Sequence, residues 1–238
     1  IQNRDCGWFY TGKPDEFQKI PGSPIAYWVN SQFIESFEHG TFLEELAPVK
    51  VGLQTGSNEI FVRDWFEVSK QKVSFASAGE HDYSKKWFPY NKGGDYRKWY
   101  GNNEKVVNWE NDGYEIRNFF GKDGKLRSRP QNISYYFQSS ITWSFVSSSY
   151  FGVRFSDTQA IFDVGGSSIF PSQEDLYYIL ALLCSKVSYK LMKTMNPTLN
   201  FQAGNVSNMP ILFVDEHKKI YSYIEKIISC HKDDWNLY

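Results

Sequence analysis

The stretch Gly52-Leu53-Gln54-Thr55-Gly56-Ser57-Asn58-Glu59-Ile60-Phe61-Val62-Arg63 carries the strongest signal for the fold of this chain. Glycine tolerates backbone angles that are closed to other residues, so Gly52 and Gly56 predict a tight loop over residues 54–58. Asn58 is expected to hydrogen-bond to amides of that loop. This loop motif, formed by Gln54, Thr55, Gly56, Ser57 and Asn58, has two open interpretations: it is a structural signature of the fold, or it contacts a ligand.

The residues that follow the loop motif predict a β-rich domain over residues 47–170. Segments rich in Val, Ile, Phe and Trp alternate there with turn sequences such as Asn111-Asp112-Gly113 and Asp123-Gly124. The expected strands are residues 59–68, 72–76, 105–109, 141–146, 151–155 and 159–164. We expect a twisted, antiparallel-rich sheet or a half-open barrel, and therefore an α+β fold once the flanking helices are included.

The two flanks of the β-rich region predict helices. Residues 1–46 are expected to be a connector from an upstream domain, with a helix over 31–45. In the helical segment 171–238, a capping pair of Ser172 and Asp175 precedes apolar residues at helical spacing, which run to Met195 before Asn196-Pro197. This pattern predicts one long helix to Met195, and a C-terminal helix is expected over 215–229.

Composition excludes several classes of protein. The chain has 238 residues, 41% of them hydrophobic, and its apolar runs are far shorter than the roughly 20 residues that span a bilayer. Three widely spaced cysteines favour a reducing cytoplasm over a disulfide scaffold. The chain begins at Ile1 with no methionine, no basic n-region and no small-residue cleavage site, so we predict no signal peptide and expect a start inside a longer cytoplasmic protein.

No catalytic or metal-binding residues are predicted. The sequence contains no Gly-x-Gly turn of the kind that binds S-adenosylmethionine, and its four histidines and three cysteines lack zinc-site spacing. We therefore expect no cofactor in this part of the protein.

Charge is distributed unevenly along the chain. Residues 85–154 hold 12 Lys and Arg against 6 Asp and Glu, although the whole chain has a net charge of −1. Residues 85–100 interleave five basic side chains with six aromatic ones, of which Trp87 and Trp99 are expected in the core of the sheet. Lys92, Arg97 and Lys98 are expected to contact phosphates.

A second basic patch surrounds the predicted turn at Asp123-Gly124. Its members are Arg117, Lys122, Lys125, Arg127 and Arg129. Arginine at a loop tip often reads guanine, because its planar fork matches O6 and N7 in the major groove. Base contact by Arg127 or Arg129 and an ordinary solvated turn remain equal alternatives at this point.

Several segments taken together resemble one protein family. The motif over residues 52–65, the run Ile20-Pro21-Gly22-Ser23-Pro24-Ile25-Ala26-Tyr27-Trp28-Val29, and the segments 87–102 and 107–113 are similar to PglX-type adenine-specific DNA methyltransferases of BREX phage-defence systems. Related type II restriction–methylation enzymes share the 52–65 motif more loosely. Residues 180–211 resemble the helix and closing strand of type I specificity subunits.

This resemblance implies a cytoplasmic target-recognition domain for DNA in a restriction–modification or phage-defence system. The implied partners are double-stranded DNA, an upstream methylase domain in the same parent chain and other defence-system proteins, with no membrane. S-adenosylmethionine would belong to the parent enzyme, because the family's Asn/Asp-Pro-Pro-aromatic signature needs adjacent prolines and this chain has none. A carbohydrate-binding β domain and a protein-interaction module are the alternatives.

Overall fold

The computed structural model describes residues 6, 7, 9, 11–75, 81–157, 160–214 and 217–237. The helices are α1 Pro14–Phe17, α2 Ser31–His39, α3 Leu43–Leu46, α4 Asn58–Phe61, α5 Glu110–Arg117, α6 Leu176–Leu183, α7 Lys186–Met195, α8 Ala203–Ser207 and α9 Tyr221–Asn236. The strands are β1 Thr41–Phe42, β2 Val49–Lys50, β3 Val62–Asp64, β4 Trp87–Asn91, β5 Lys105–Asn108, β6 Ser140–Trp143, β7 Val153–Ser156, β8 Ile161–Phe162, β9 Ser168–Ile169 and β10 Pro210–Ile211. Short 3-10 helices occupy Trp65–Glu67, Lys70–Lys72, Ile133–Tyr135 and His217–Ile220.

Two four-stranded sheets form the centre of the molecule. One has the order β2-β9-β6-β7 and is antiparallel throughout. The other has the order β3-β5-β4-β8, with a single parallel pair between β4 and β8, where Tyr90 lies opposite Ile161. Strands β1 and β10 make a further two-stranded ribbon. The predicted α+β class is confirmed, and no closed barrel forms within the described ranges.

Each sheet has its own apolar core. Sheet β2-β9-β6-β7 packs Ile141, Trp143 and Val153 against the helices, including Leu180 and Leu183 of α6. The same core takes side chains from the N-terminal 46 residues, including those of α2. The second sheet surrounds the rings of Phe88, Tyr90, Trp109 and Phe162, together with smaller residues. Many of the aromatic side chains in the sequence are therefore structural.

The predicted strands differ from the structure mainly in their lengths. Strands β5, β6 and β7 confirm the predictions at 105–109, 141–146 and 151–155, with ends shifted by one to three residues. The predicted strand 59–68 is confirmed only over Val62–Asp64. It is wrong before Val62, where the chain forms α4 directly after Ser57, and after Asp64, where Trp65–Glu67 is a 3-10 helix.

Two further predicted strands lie partly outside the described residues. Residue 76 of segment 72–76 and residue 159 of segment 159–164 are not described. The remainder forms a bridge from Val73 to Trp87, the two-residue strand β8 and a bridge from Asp163 to Leu53. Trp87 is buried in the sheet as expected, and Trp99 is half-buried against the first core.

The predicted helices are interrupted by local hydrogen bonds. The helix expected over 31–45 ends at His39, after which Thr41 and Phe42 pair with β10. The helix expected to run to Met195 breaks between α6 and α7, because the Ser185 side chain accepts a hydrogen bond from the Ser188 amide and caps a new helix. Its predicted end before Asn196-Pro197 is confirmed.

The C-terminal helix is longer than predicted. It was expected over 215–229, where residue 215 lies outside the described chain, and α9 continues to Asn236. Ile224 and Ile228 lie on its buried side, as the apolar spacing indicates. Both predicted turns are present: Asn111, Asp112 and Gly113 have φ of 51°, 57° and 71°, and Gly124 has φ of 73°.

Candidate nucleic-acid interface

The loop motif at residues 54–58 is tightly held. Thr55 is buried, and its hydroxyl donates to the Asn58 side-chain oxygen at 2.9 Å. Asn58 therefore binds a hydroxyl, where a loop amide was expected. Gly56 has a left-handed φ of 80°, and a Cβ there would lie 2.8 Å from the Arg127 carbonyl group. This close approach joins the loop motif to the second basic patch.

Gly52 is required for a different reason from the one the sequence suggests. It is not among the glycines with left-handed φ, so the expectation of an unusual backbone angle is wrong there. A Cβ on Gly52 would instead lie 1.9 Å from the Phe162 carbonyl oxygen. Close approach of two backbones at β8 excludes a side chain at this position.

The second basic patch folds into a hairpin, residues 119–129, which we call the basic hairpin. The amide of Gly121 donates to the Lys125 carbonyl, and the amide of Arg127 donates to the Phe119 carbonyl, both at 2.8 Å. Lys122, Lys125, Arg127 and Arg129 are all exposed. Arg127 forms an ion pair of 2.8 Å with Asp123 in the same hairpin.

A ladder of hydrogen bonds fixes the basic hairpin to the loop motif. Gln54 and Arg129 exchange backbone hydrogen bonds of 3.1 and 2.8 Å. Beyond them, the Gln131 side chain donates to the Gly52 carbonyl at 3.1 Å, and the Asn132 side chain donates to the Val51 carbonyl at 2.9 Å. The loop motif and four of the predicted basic residues therefore share one surface, which these hydrogen bonds hold together.

Lys92 lies at the edge of this same surface. A cavity of about 330 Å³ is bounded by the loop motif, Lys92 and residues 163–165. The Lys92 ammonium lies 2.6 Å from the Asp163 carboxylate, which also accepts from the Tyr90 hydroxyl and, at 2.6 Å, from the Gly165 amide. Burial, reinforced by Asp163, raises the pKa of Tyr90 well above its usual value, so that the hydroxyl remains a donor.

Arg97 and Lys98 contact α9 and the end of α6. Arg97 forms an ion pair of 3.2 Å with Asp234 and stacks on the Trp235 ring at 4.9 Å, both in α9. The Lys98 ammonium donates to the Cys184 carbonyl at 2.6 Å, just after the end of α6. The structure therefore separates these two residues from Lys92, although the sequence groups all three.

Arg117 lies in α5, at the base of the basic hairpin. Its guanidinium is 2.7 Å from the Asp112 carboxylate and 5.4 Å from the centre of the Trp109 ring. The left-handed turn of residues 111–113 is what places Asp112 beside it.

A second, larger cavity was not predicted from the sequence. It has a volume of about 780 Å³ and lies beside Arg97 and the end of α9. Trp65, Phe66 and Phe75 line it with rings that are 45%, 67% and 48% exposed. A run of exposed aromatics after the loop motif, at residues 65 and 66, is the only sequence feature that could have suggested it.

Among the described residues, no group of three or more His, Cys, Asp or Glu side chains is arranged to hold a metal ion. Within the same part of the chain, no helix combines the length and the apolar character needed to cross a bilayer. Cys6, Cys184 and Cys230 are free thiols.

Comparison with known proteins identifies relatives of the whole chain. It is 39% identical over 241 aligned residues to adenine-specific methyltransferase PglX of Lacticaseibacillus casei (strain Zhang), which covers 99% of this chain and 20% of that protein. It is 40% identical over 226 residues to adenine-specific methyltransferase BrxX of Escherichia coli O9:H4 (strain HS), covering 93% of this chain and 17% of that protein. No protein-family model matches the chain. The resemblance inferred from the sequence is thus confirmed: the chain is a relative of PglX-type adenine-specific methyltransferases over a region that spans a fifth or less of their length.

Proposed function

We propose that this chain is the sequence-specific DNA-recognition module of an adenine-specific methyltransferase in a restriction–modification or phage-defence system. The observation that carries the proposal is the ladder between residues 51–54 and 129–132, which places the loop motif and the basic hairpin on one surface. Lys92 borders that surface. We refer to these three parts together as the recognition face.

The shape and charge of the recognition face suit duplex DNA. A two-stranded hairpin fits the major groove, which is about 12 Å wide. Lys122 and Lys125, at the tip, would neutralise phosphates and release counterions, whereas arginine and glutamine side chains near the ladder would face base edges. Gln54 and Arg129 are joined through backbone atoms alone, so their long side chains are not used to hold the hairpin in place.

Methyl transfer itself is assigned to another part of the parent protein. The relatives named as adenine-specific methyltransferases are about five to six times as long as the matched region, which covers 20% and 17% of them. The adjacent prolines of the adenine-binding signature are missing from this chain. In this proposal S-adenosylmethionine and the reacting adenine bind in the upstream methylase domain, and the present chain selects the site.

A salt-dependent titration tests the proposal. Duplex binding measured by fluorescence anisotropy at several salt concentrations should give a steep slope, because each phosphate contact contributes about −0.9. Replacing Lys122, Lys125 and Arg129 together with alanine should flatten the slope by about two, because Lys122 and Lys125 are the two of these residues that are assigned to phosphates.

The matched control removes three cations from elsewhere. Lys186, Lys190 and Lys226 are exposed on α7 and α9, and their triple alanine variant should keep the wild-type slope. Equal slopes for both triple variants, or no measurable binding by the wild type, would contradict a DNA contact at the basic hairpin.

Carbohydrate binding is the second candidate, and the 780 Å³ cavity is the observation that favours it. Exposed rings such as Trp65 and Phe66 are the groups that stack on sugar faces. A glycan array with wild-type protein and a Trp65→Ala variant tests it directly. Binding that is lost in the variant supports this function, and an array without signal removes it.

A further inference from the structure

Gln54 and Arg129 form a directly opposed pair in an antiparallel bridge. The Gln54 amide donates to the Arg129 carbonyl at 3.1 Å, and the Arg129 amide donates to the Gln54 carbonyl at 2.8 Å. Residues that exchange both hydrogen bonds project their side chains from the same face, with Cβ atoms roughly 4.5–5.5 Å apart. The side chains of Gln54 and Arg129 therefore leave the backbone at neighbouring positions.

The buried neighbours of this pair show which face it occupies. Thr55 follows Gln54 and is 3% exposed, and Ser128 precedes Arg129 and is 5% exposed. The Ser128 hydroxyl donates to the Ile116 carbonyl. Because side chains alternate along an extended segment, these two anchors fix Gln54 and Arg129 on the solvent side.

The two side chains are free to bind a ligand. Within the described residues, neither the Gln54 amide nor the Arg129 guanidinium has a side-chain partner. Arg117 and Arg127, by contrast, are held by Asp112 and Asp123. A rigid backbone that carries two uncommitted planar groups, each with donors at its end, is the arrangement expected of a base-reading element.

We propose that Gln54 and Arg129 read two neighbouring base pairs in the major groove, Gln54 an adenine and Arg129 a guanine. This inference rests on the proposed DNA-recognition function. The Gln54 side chain would accept from N6 of adenine and donate to N7, and the Arg129 guanidinium would donate to O6 and N7 of guanine. Bases along one strand rise by about 3.4 Å, a separation that two flexible side chains starting from one bridge can span.

A randomised-duplex selection with the intact gene product that contains this chain tests the pairing. The wild-type protein should select a site with a guanine next to an adenine. Gln54→Ala should relax only the adenine, Arg129→Ala should relax only the guanine, and each should lower affinity for the selected site by about 5- to 150-fold. Affinity for scrambled duplex should fall far less.

Gln54→Glu gives a positive readout, because a carboxylate accepts from N4 of cytosine but cannot donate to N7 of adenine. The selected base at that position should change from adenine to cytosine. Since the bridge uses only backbone atoms, this nearly isosteric variant should retain the fold, and its melting temperature is measured as a check. Lys125→Ala serves as the phosphate control, and it should weaken cognate and scrambled binding equally.

The outcomes separate the inference from the function on which it rests. A wild-type protein that selects no sequence overturns both. Selection of a site that remains unchanged in the Gln54 and Arg129 variants overturns the base-reading pair alone. Equal losses on cognate and scrambled DNA would also overturn it, because they would place both side chains on phosphates.

Discussion

The variant Gly52→Ala tests the close backbone approach between residues 52 and 162, which lies beside the recognition face. The added methyl carbon would lie 1.9 Å from the Phe162 carbonyl oxygen and 2.4 Å from its carbon. Carbon atoms normally keep about 3.5–4.0 Å from such neighbours, so the two backbone segments must separate by more than about 1 Å. Neither neighbour is the flexible end of a side chain that could simply move away.

The cost can be estimated from the contacts at risk. Separation would break the hydrogen bond from the Leu53 amide to the Phe162 carbonyl at 2.8 Å, and that from the Val164 amide to the Leu53 carbonyl at 3.3 Å. Each such bond contributes about 1 kcal/mol, and overpacking costs a further 1–3 kcal/mol or so. The free energy of unfolding should therefore fall by about 3–5 kcal/mol, which lowers the melting temperature by about 6–20 °C in a chain of this size.

Thermal unfolding followed by near-ultraviolet circular dichroism measures this effect. Gly204→Ala is the matched control, because Gly204 lies in α8 and an added Cβ there meets nothing within 4 Å. Alanine is the better helix former by about 1 kcal/mol, so the control should be neutral or slightly stabilised. If the two variants have the same melting temperature, the close approach of residues 52 and 162 is refuted.

Three further predictions follow from the site and the core. The chain alone should neither bind S-adenosylmethionine nor transfer a methyl group to DNA, and saturable micromolar binding in a calorimeter would contradict this. The triple variant of Lys92, Arg97 and Lys98 to alanine should flatten the salt slope less than the triple variant of Lys122, Lys125 and Arg129 does, because Arg97 and Lys98 already bind α9 and the end of α6. A larger change in slope for the Lys92, Arg97 and Lys98 variant would indicate that the phosphate contacts lie in residues 85–100. Burial raises the pKa of the Cys184 thiol from 9.0 to about 12, so unfolded chains release this proton first and stability should fall as pH rises from 9 towards 12. Urea titrations across that range should show a shallower decline in Cys184→Ala, and parallel declines would count against a buried thiol.

Periodicity predicted the helical core well because it depends on local spacing. Ile179, Leu180, Leu183 and Leu191 are all buried, as their spacing indicates. The break at Ser185 could not be predicted in this way, since a serine is equally compatible with a helix interior and with a cap. Its role depends on whether the serine hydroxyl bonds within a continuous helix or accepts from the amide that begins a new helix, and the packing of the helices decides this.

Strand positions were predicted more reliably than strand partners. The turn residues and apolar runs located β5, β6 and β7, but nothing in them indicates that β4 pairs in parallel with β8 or that residues 51–54 meet residues 129–132. Such pairings are set by tertiary packing between segments far apart in the chain. The loop motif was therefore recognised from the sequence, but its attachment to the basic hairpin was not.

Charge alone cannot distinguish cations that hold the fold from cations that are available to a polyanion. Within the basic stretch 85–154, Arg154 is fully buried and donates to the Ser144 hydroxyl and the Gly152 carbonyl, and burial lowers its pKa to about 10. Other cations of the stretch are bound to carboxylates or helix ends, whereas Lys122, Lys125 and Arg129 remain exposed on the basic hairpin. Because a phosphate competes poorly with an existing buried or paired contact, the net positive charge of the stretch is available mainly at this hairpin. That is where the loop motif is anchored, and it is the strongest physical reason to place DNA there.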